Sequence, residues 1–185
     1  MFINHKHKFI FIHIPKNAGT SIRNSFDIHG YDKRVVRRRY PHYNCSEIKD
    51  YCGDDTWNEF YKFSVVRNPY ERMVSYYHFH KSEQYNHPAT AQKMGFSEWL
   101  ERGLDNRLCI TQTKYLNEDI DYIIRYENLQ DDFNIVCANI GIEPYILPKW
   151  NVSTHEHWEY YFDKKMKEQV YDLFQEDFQR FDFPI

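Results

Sequence analysis

The stretch from Phe9 to Phe26, FIFIHIPKNAGTSIRNSF, constrains the fold more than any other part of the chain. Its first residues, up to Ile14, are almost all apolar, which is typical of a strand covered on both faces in a parallel sheet. A loop follows, and Ile22 then repeats at four-residue spacing with the closing phenylalanine, as in a short helix with one buried side. The stretch therefore predicts a strand, a tight loop and a helix over residues 20–26.

The same alternation continues along the chain. KFSVV (62–66) and YIIRY (122–126) indicate two more buried strands, and RVVRRR (34–39) indicates a basic strand. Further segments are predicted from spacing and composition as helices at about 70–79, 96–102, 127–140 and 163–180, and as a surface loop at 81–95. We therefore expect an α/β fold in which helices flank a parallel sheet.

Length and composition set the frame for this fold. The chain has 185 residues without an internal repeat or linker, so we expect one domain over 1–185. Aromatic residues make up 18% of it, which favours a ring-rich core and argues against disorder. The net charge of -3 gives no overall attraction to nucleic acid or to an anionic membrane, so any recognition of anions must be local.

The cysteines and the apolar segments indicate a cellular setting. Cys45, Cys52, Cys109 and Cys137 form no C-x-x-C pair and have no ligand-like histidine spacing, so we expect reduced thiols and no metal site. The N-terminal apolar run is too short for a signal-peptide core, and no stretch approaches the roughly 20 apolar residues of a membrane span. We expect a cytoplasmic protein that does not insert into membranes.

The loop PKNAGTS has the features of an anion-binding loop at a helix N-terminus. The first N–H groups of a helix lack intrahelical partners and carry a partial positive charge. Gly19 allows close approach of the backbone, Asn17 tolerates positive φ, and Thr20 and Ser21 add hydroxyl groups. Lys16 stands at the head of the loop and could reach a bridging oxygen. An ordinary strand-to-helix turn with a solvated lysine fits this loop equally well when it is taken alone.

The loop differs from that of a kinase or nucleotidase. Those enzymes use G-x-x-x-x-G-K-[ST], in which the hydroxyl holds magnesium. Here Gly19 is followed by Thr20, the first glycine is absent, and no apolar strand ends in a clear magnesium-binding aspartate. A magnesium-dependent kinase or nucleotidase remains an alternative with little support for the metal.

A second motif, FSVVRNPYERMVSYY, changes the balance. It places Arg67 at the end of a strand and Ser75 in the following helix. Because the carboxyl ends of parallel strands share one edge of a sheet, Arg67 is expected near Lys16. Together with Ser75 it could hold a second phosphate through charge-assisted hydrogen bonds. A helix cap with a surface arginine is the alternative for this segment alone.

The two motifs together resemble the phosphate-binding motifs of the carbohydrate-type sulfotransferases. These enzymes use 3′-phosphoadenosine-5′-phosphosulfate (PAPS) as the sulfuryl donor. The similarity continues through YIIRYENL, LPKWNVS and VYDLFQEDFQRFDF, so it extends from about Phe9 to Phe183. It implies a P-loop-type α/β fold. The absence of a membrane anchor, which we expect from the apolar segments, departs from the Golgi members of the family. A degenerate, non-catalytic nucleotide-binding scaffold is a further alternative.

The resemblance assigns donor-binding roles to individual residues. The 5′-phosphosulfate is expected on a set of residues in the loop: Lys16, Asn17, Ala18, Gly19, Thr20 and Ser21. The 3′-phosphate is expected on Arg67 and Ser75. Ala18 stands where the family often has a second glycine, so a requirement for positive φ there would weaken donor binding.

Sulfuryl transfer explains the position of the lysine. A sulfuryl group carries less negative charge than a phosphoryl group, so no metal is required, and Lys16 can stabilise the leaving phosphate. The acceptor hydroxyl needs a base, and the resemblance supports His42. His13, inside the predicted strand, is interpreted as packing or loop support. His78 and His80 are weaker alternatives for the base.

The acceptor is expected to be a hydroxyl group, most simply that of a carbohydrate. Four basic residues could hold an acidic glycan or could keep an exposed edge strand soluble: Arg34, Arg37, Arg38 and Arg39. The LPKWNVS resemblance suggests that Trp150, Asn151 and Ser153 close over the donor. Trp158, Tyr160 and Tyr161 could stack on a base or sugar, but core packing is the better interpretation for them.

Overall fold

The computed structural model describes residues 2–28, 42–82, 93–103, 110–148, 150 and 155–185. The predicted basic strand at 34–39 lies outside these residues, as does most of the predicted loop at 81–95. The described chain forms two compact units, Met1–Arg67 with Gln112–Asn151, and Asn68–Thr111 with Val152–Ile185. The expectation of one domain over 1–185 stays a prediction.

The first unit is built on a four-stranded sheet in the order β1-β2-β3-β4. The strands are β1 (Phe2–Asn4), β2 (Phe9–Ile12), β3 (Tyr61–Val66) and β4 (Tyr122–Arg125). Strands β2, β3 and β4 are parallel, as predicted, whereas β1 pairs antiparallel with β2. The three parallel strands confirm the predicted parallel sheet, and the antiparallel edge strand β1, which was not predicted, makes the whole sheet mixed. A three-residue strand is too short to show an apolar pattern, so its pairing comes from contacts with β2.

Helices follow the parallel strands as the sequence indicated. Those of the first unit are α1 (Gly19–Ile28), α2 (Cys45–Cys52), α3 (Asp54–Glu59), α6 (Gln112–Tyr115) and α7 (Leu129–Asn139); those of the second are α4 (Pro69–Lys81), α5 (Phe96–Gly103) and α8 (Lys164–Arg180). Helices α2, α3 and α6 were not predicted. α2 begins with a capping box in which the side chain of Asn44 accepts from the N–H of Glu47, while the Glu47 carboxylate accepts from the N–H of Asn44. None of the helices in the described ranges is long and apolar enough to cross a membrane.

The core of the first unit is a cluster of aromatic rings between the sheet and its helices. Phe26 of α1 is fully buried, and its ring centre lies 5.5 Å from Phe2, 4.8 Å from Phe9 and 5.8 Å from Phe133. Phe63 of β3 lies opposite Phe11 of β2 in the sheet register. This packing fixes the direction in which α1 leaves the carboxyl end of β2, and therefore the geometry of the intervening loop.

The second unit is organised around the N-terminal half of α4. The side chain of Asn68 caps the helix by accepting the N–H of Tyr70, and Pro69 occupies the first helical position. Tyr70 is fully buried; its ring stacks on Trp158 at 4.8 Å and contacts Phe178 of α8 at 5.1 Å. Trp158 therefore belongs to the core, as the interpretation from sequence favoured, whereas the same interpretation was wrong for Tyr160, which is 80% exposed.

Replacing Phe26 by alanine should lower the free energy of unfolding by about 3–5 kcal/mol, because it leaves a cavity among rings that cannot collapse onto it. Urea unfolding followed by circular dichroism measures the loss. Tyr160→Ala is the control, since that ring is 80% exposed and its removal should change stability by less than about 0.5 kcal/mol. A loss below about 1 kcal/mol for Phe26→Ala would contradict the packing described.

Candidate active site

Two residues of the loop between β2 and α1 have a backbone conformation that residues other than glycine rarely adopt. Lys16 has φ 68° and Ala18 has φ 56°, both in the left-handed region. Asn17, whose residue type tolerates positive φ, is not among the described residues in that region. The two left-handed residues curl the loop at the N-terminus of α1.

The side chain of Asn17 anchors the loop through hydrogen bonds. It is 1% exposed, and its Nδ2 donates to the carbonyl of Val65 at 2.7 Å and to Oε1 of Gln112 at 2.6 Å. These two bonds fasten the middle of the loop to the end of β3 and to α6. Gln112 could not be predicted from the sequence, because nothing in its local pattern marks it.

Gly19 is required because the loop packs directly on a histidine ring. A Cβ at position 19 would lie 1.9 Å from Cδ2 and 2.0 Å from Nε2 of His13, so any side chain there would displace the ring or the loop. His13 is 8% exposed, and its ring also stacks on Phe11 at 5.8 Å. His13 thus lies beneath the loop, in agreement with its interpretation as packing or loop support.

The first turn of α1 presents its N–H groups at the end of the loop. Ile22 donates its N–H to the carbonyl of Ala18 at 3.2 Å, so Ala18 is the first acceptor of the helix. The amides of Gly19, Thr20 and Ser21 precede that bond and belong to the positive end of the helix dipole. The first turn carries no acidic side chain. Its electrostatic character therefore favours an anion.

The hydroxyl of Ser21 connects the loop to Trp150. It accepts the N–H of Trp150 at 3.2 Å, and its distance to the Trp150 carbonyl is 3.4 Å. Trp150, 47% exposed, consequently lies beside the loop, whereas Asn151 and Ser153 lie outside the described residues. The role of Ser21 toward a donor stays a prediction.

Two positive charges meet at the carboxyl ends of β2 and β3. Arg67 is 7% exposed, its Nη1 donates to the carbonyl of Lys16 at 3.3 Å, and its guanidinium carbon lies 3.8 Å from the centre of the Tyr126 ring. Burial and the charge of Arg67 together lower the pKa of Lys16 from 10.5 to about 8. Both causes oppose the ammonium charge, so an anion bound here relieves an existing repulsion.

His42 is connected to the loop through His13. Its Nδ1 lies 2.9 Å from the carbonyl of His13, and the two rings meet edge to face at 4.5 Å. Because a carbonyl only accepts hydrogen bonds, Nδ1 carries the proton, and Nε2 of the neutral ring has the lone pair. Burial, and next the proximity of His42, hold the pKa of His13 well below its usual value. His13 is therefore a neutral ring next to a candidate base.

The remaining candidates lie in the second unit, where their roles stay predictions. Ser75 is a partly exposed residue of α4. His78 makes a 2.8 Å hydrogen bond with the hydroxyl of Tyr161, and Nδ1 of His80 accepts from the indole of Trp99 at 3.0 Å. Both histidines are thus engaged in packing contacts of that unit. Within the described ranges, no three His, Cys, Asp or Glu side chains form a group that could hold a metal ion.

Replacing Ala18 by glycine should raise the free energy of unfolding by about 0.5–1 kcal/mol. It removes a left-handed strain of roughly 1–2 kcal/mol and adds about 0.5–1 kcal/mol of chain entropy to the unfolded state. Ala138→Gly is the matched control, because this exposed α7 residue has helical backbone and the change there should destabilise by up to about 1 kcal/mol. If urea unfolding showed the same loss of stability in Ala18→Gly as in Ala138→Gly, the conclusion that Ala18 is strained would be contradicted.

Replacing Lys16 by methionine should stabilise the ligand-free protein at pH 7 by about 1–3 kcal/mol. The pKa of Lys16 is about 8 in the folded state and 10.5 for a free lysine, so the folded state disfavours the charge at every pH below 8. The gain should shrink as the pH rises from 8 and vanish above about 10.5. The free energy of unfolding, measured for both proteins near pH 8 and above about pH 10.5, tests this loss of the gain. Lys164→Met, at a side chain 92% exposed, should change stability by less than about 0.5 kcal/mol. A less stable Lys16→Met protein at pH 7 would contradict the conclusion that burial and Arg67 together disfavour the charge of Lys16.

Comparison with known proteins gives the family. The model of the sulfotransferase family matches residues 1–184. The crystal structure of mouse sulfotransferase SULT7A1 complexed with PAP aligns with a TM-score of 0.61 at 17% identity, covering 97% of this chain and 87% of that one. This likeness confirms the predicted P-loop-type α/β fold. A search of curated proteins found no match. The chain belongs to the sulfotransferase family.

Proposed function

We propose that this sulfotransferase moves a sulfuryl group from PAPS to a hydroxyl group of a carbohydrate. The observation that carries the proposal is the pairing of Lys16 with Arg67 at the head of a helix N-terminus. Membership of the sulfotransferase family supports sulfuryl transfer, and the PAP in the complex of SULT7A1 supports the donor. Cytoplasmic action without a metal is part of the proposal.

The loop fits the 5′ end of this donor. Lys16 and the amides from Asn17 to Ser21 would hold the phosphosulfate, since they offer positive charge and N–H groups with no competing acid in the first turn. The absence of a side chain at Gly19 lets the backbone settle on His13 and present those amides. Arg67 and Ser75 would hold the 3′-phosphate, as the resemblance to the family implies.

Lys16 would supply the main electrostatic stabilisation. PAPS contributes a sulfuryl group that is activated by its anhydride bond to the 5′-phosphate. Lys16 and the first-turn amides of α1 stabilise the charge that develops on the departing phosphate oxygen. Because the ammonium is already desolvated and opposed by Arg67, it gains more from this charge than a solvated lysine would.

His42 would act as the general base. Its Nδ1–H bond to the carbonyl of His13 leaves Nε2 as the atom that receives the proton of the acceptor hydroxyl. The same carbonyl stabilises the imidazolium that forms, because it continues to accept the Nδ1 proton. The carbohydrate acceptor is supported by the carbohydrate-type motifs and by the basic run from Arg34 to Arg39.

The test is sulfuryl transfer from sulfur-labelled PAPS, in the presence of EDTA, to a panel of neutral and uronic-acid oligosaccharides, phenols and aliphatic alcohols. Labelled oligosaccharide is the expected product. Label on phenols alone would overturn the carbohydrate acceptor. PAP binding without transfer to any acceptor would indicate a nucleotide-binding scaffold, and magnesium-dependent turnover of ATP would indicate a kinase or nucleotidase.

Replacing His42 by alanine should lower turnover by about 10²- to 10⁴-fold while leaving the Kd of PAP within about threefold of the original value. The base is lost, but the donor loop keeps its contacts with β3 and α6. Steady-state kinetics and calorimetric titration with PAP provide the two measurements. His157→Ala is the histidine control, since its side chain is 55% exposed and its partner is the exposed Glu159. A collapse of PAP affinity in His42→Ala would show a structural role instead.

A further inference from the structure

We propose that Gln112 is a positioning residue that sets the spacing between the donor loop and Arg67, and so makes the site selective for a nucleotide carrying both a 5′- and a 3′-phosphate group. The inference rests on the proposed function, since it assumes that the loop receives the 5′ group and Arg67 the 3′ group. It adds a residue from outside both phosphate-binding motifs to the recognition of the donor.

Gln112 joins the two binding elements through one buried amide. It is fully buried at the start of α6. Its Oε1 accepts from Nδ2 of Asn17 at 2.6 Å and from the backbone N–H of Arg67 at 2.9 Å. Its Nε2 donates to the backbone carbonyl of Arg67 at 2.9 Å. The oxygen of the planar amide thus binds both the loop and the Arg67 N–H, and its nitrogen binds the Arg67 carbonyl.

The loop needs such an attachment because its backbone is strained. Left-handed residues other than glycine cost roughly 1–2 kcal/mol each, and Lys16 and Ala18 flank Asn17 on both sides. Strain of this kind persists only where surrounding bonds hold it. The side chain of Asn17 is held by the carbonyl of Val65 and by Gln112, so the loss of Gln112 removes one of these two anchors of the curled loop.

The clamp on Arg67 acts at the other binding element. Its backbone is fixed by Gln112 on both its N–H and its carbonyl, while its guanidinium rests on Tyr126 and on the carbonyl of Lys16. The ribose of a 3′,5′-bisphosphate separates the two anionic groups by a nearly constant distance. Both groups bind at full strength only if the protein holds its two elements at the matching distance beforehand.

A role in spacing differs measurably from a role in stability alone. If Gln112 sets the spacing, its loss weakens a ligand that spans both elements more than a ligand that occupies only the loop. The relevant quantity is the ratio of the Kd of adenosine 5′-phosphate (AMP) to the Kd of PAP. General destabilisation of the fold would weaken both ligands alike and leave this ratio unchanged.

The experiment is calorimetric titration of the whole chain with PAP and with AMP, for the original protein and for Gln112→Met, which keeps the length of the side chain without its hydrogen bonds. The ratio of the Kd of AMP to the Kd of PAP should be large in the original protein. It should fall about tenfold or more in the variant, which is the usual effect of losing one charge-assisted contact. Gln112→Asn, whose shorter amide cannot reach both elements, should give the same fall.

Gln130→Met is the matched control. This glutamine also bridges two segments, since Nε2 donates to Asn134 and to the carbonyl of Tyr145, and Oε1 accepts from the N–H of Leu147. It contacts neither the loop nor Arg67 in these bonds, so its loss should lower the melting temperature and leave the ratio within about twofold.

The outcomes separate the two levels of the proposal. An original protein that does not bind PAP overturns the proposed function, and this inference with it. An original protein with a large ratio that persists in Gln112→Met overturns the inference alone. Failure of both Gln112 variants to fold, with a folded Gln130→Met, would make Gln112 a structural residue and overturns the inference as well.

Discussion

The burial of the Lys16 ammonium beside Arg67 is the constraint on which the candidate site depends. Both residues follow parallel strands of one sheet, and the carbonyl of Lys16 accepts a hydrogen bond from the guanidinium of Arg67. Burial and this neighbouring charge lower the pKa of the lysine to about 8. The ligand-free chain thus keeps two cations where it would be more stable with fewer. Such an arrangement is typical of a binding site that gives up stability for function.

Rigid packing around the loop makes this arrangement possible. Phe26 fixes α1 against the sheet, the ring of His13 occupies the space that a side chain at Gly19 would need, and the amide of Asn17 holds the curl between two left-handed residues. Each contact restricts a movement of the loop that would otherwise expose the Lys16 ammonium to water. The same histidine orients His42 through its carbonyl, so the candidate anion-binding loop and the candidate base share one support.

Much of the fold could be predicted because its signals are local. The apolar runs at β2, β3 and β4 and the spacing of Ile22 and Phe26 identify strands and a helix without knowledge of their neighbours. Strand β1 could not be predicted, since three residues show no period and only the register with β2 defines them. Helix α2 was missed because its apolar pattern is short, although its capping box is present in the sequence.

The site could be predicted only in part for the same reason. Lys16 and Arg67 were marked by their positions after strands, and the structure does bring them together. Gln112 gave no signal, because it acts on residues 95 and 45 positions away in the chain. The left-handed backbone of Lys16 gave no signal either, because this residue is not a glycine and the bonds of Asn17 that hold the loop go to groups far along the chain. The roles assigned to His42 and Ser75 stay predictions.

The central claim is that charged Lys16 binds the 5′ group of the donor, although the empty site disfavours this charge. Proton uptake on PAP binding tests this claim. Calorimetric titration at about pH 8.5, in buffers of different ionisation enthalpy, measures this uptake directly. The phosphates of PAP are already ionised at that pH, whereas Lys16 is mostly neutral. Uptake of about half a proton or more in the original protein, absent in Lys16→Met, is the expected result. PAP binding with no proton uptake, or with the same uptake in Lys16→Met, would contradict the account.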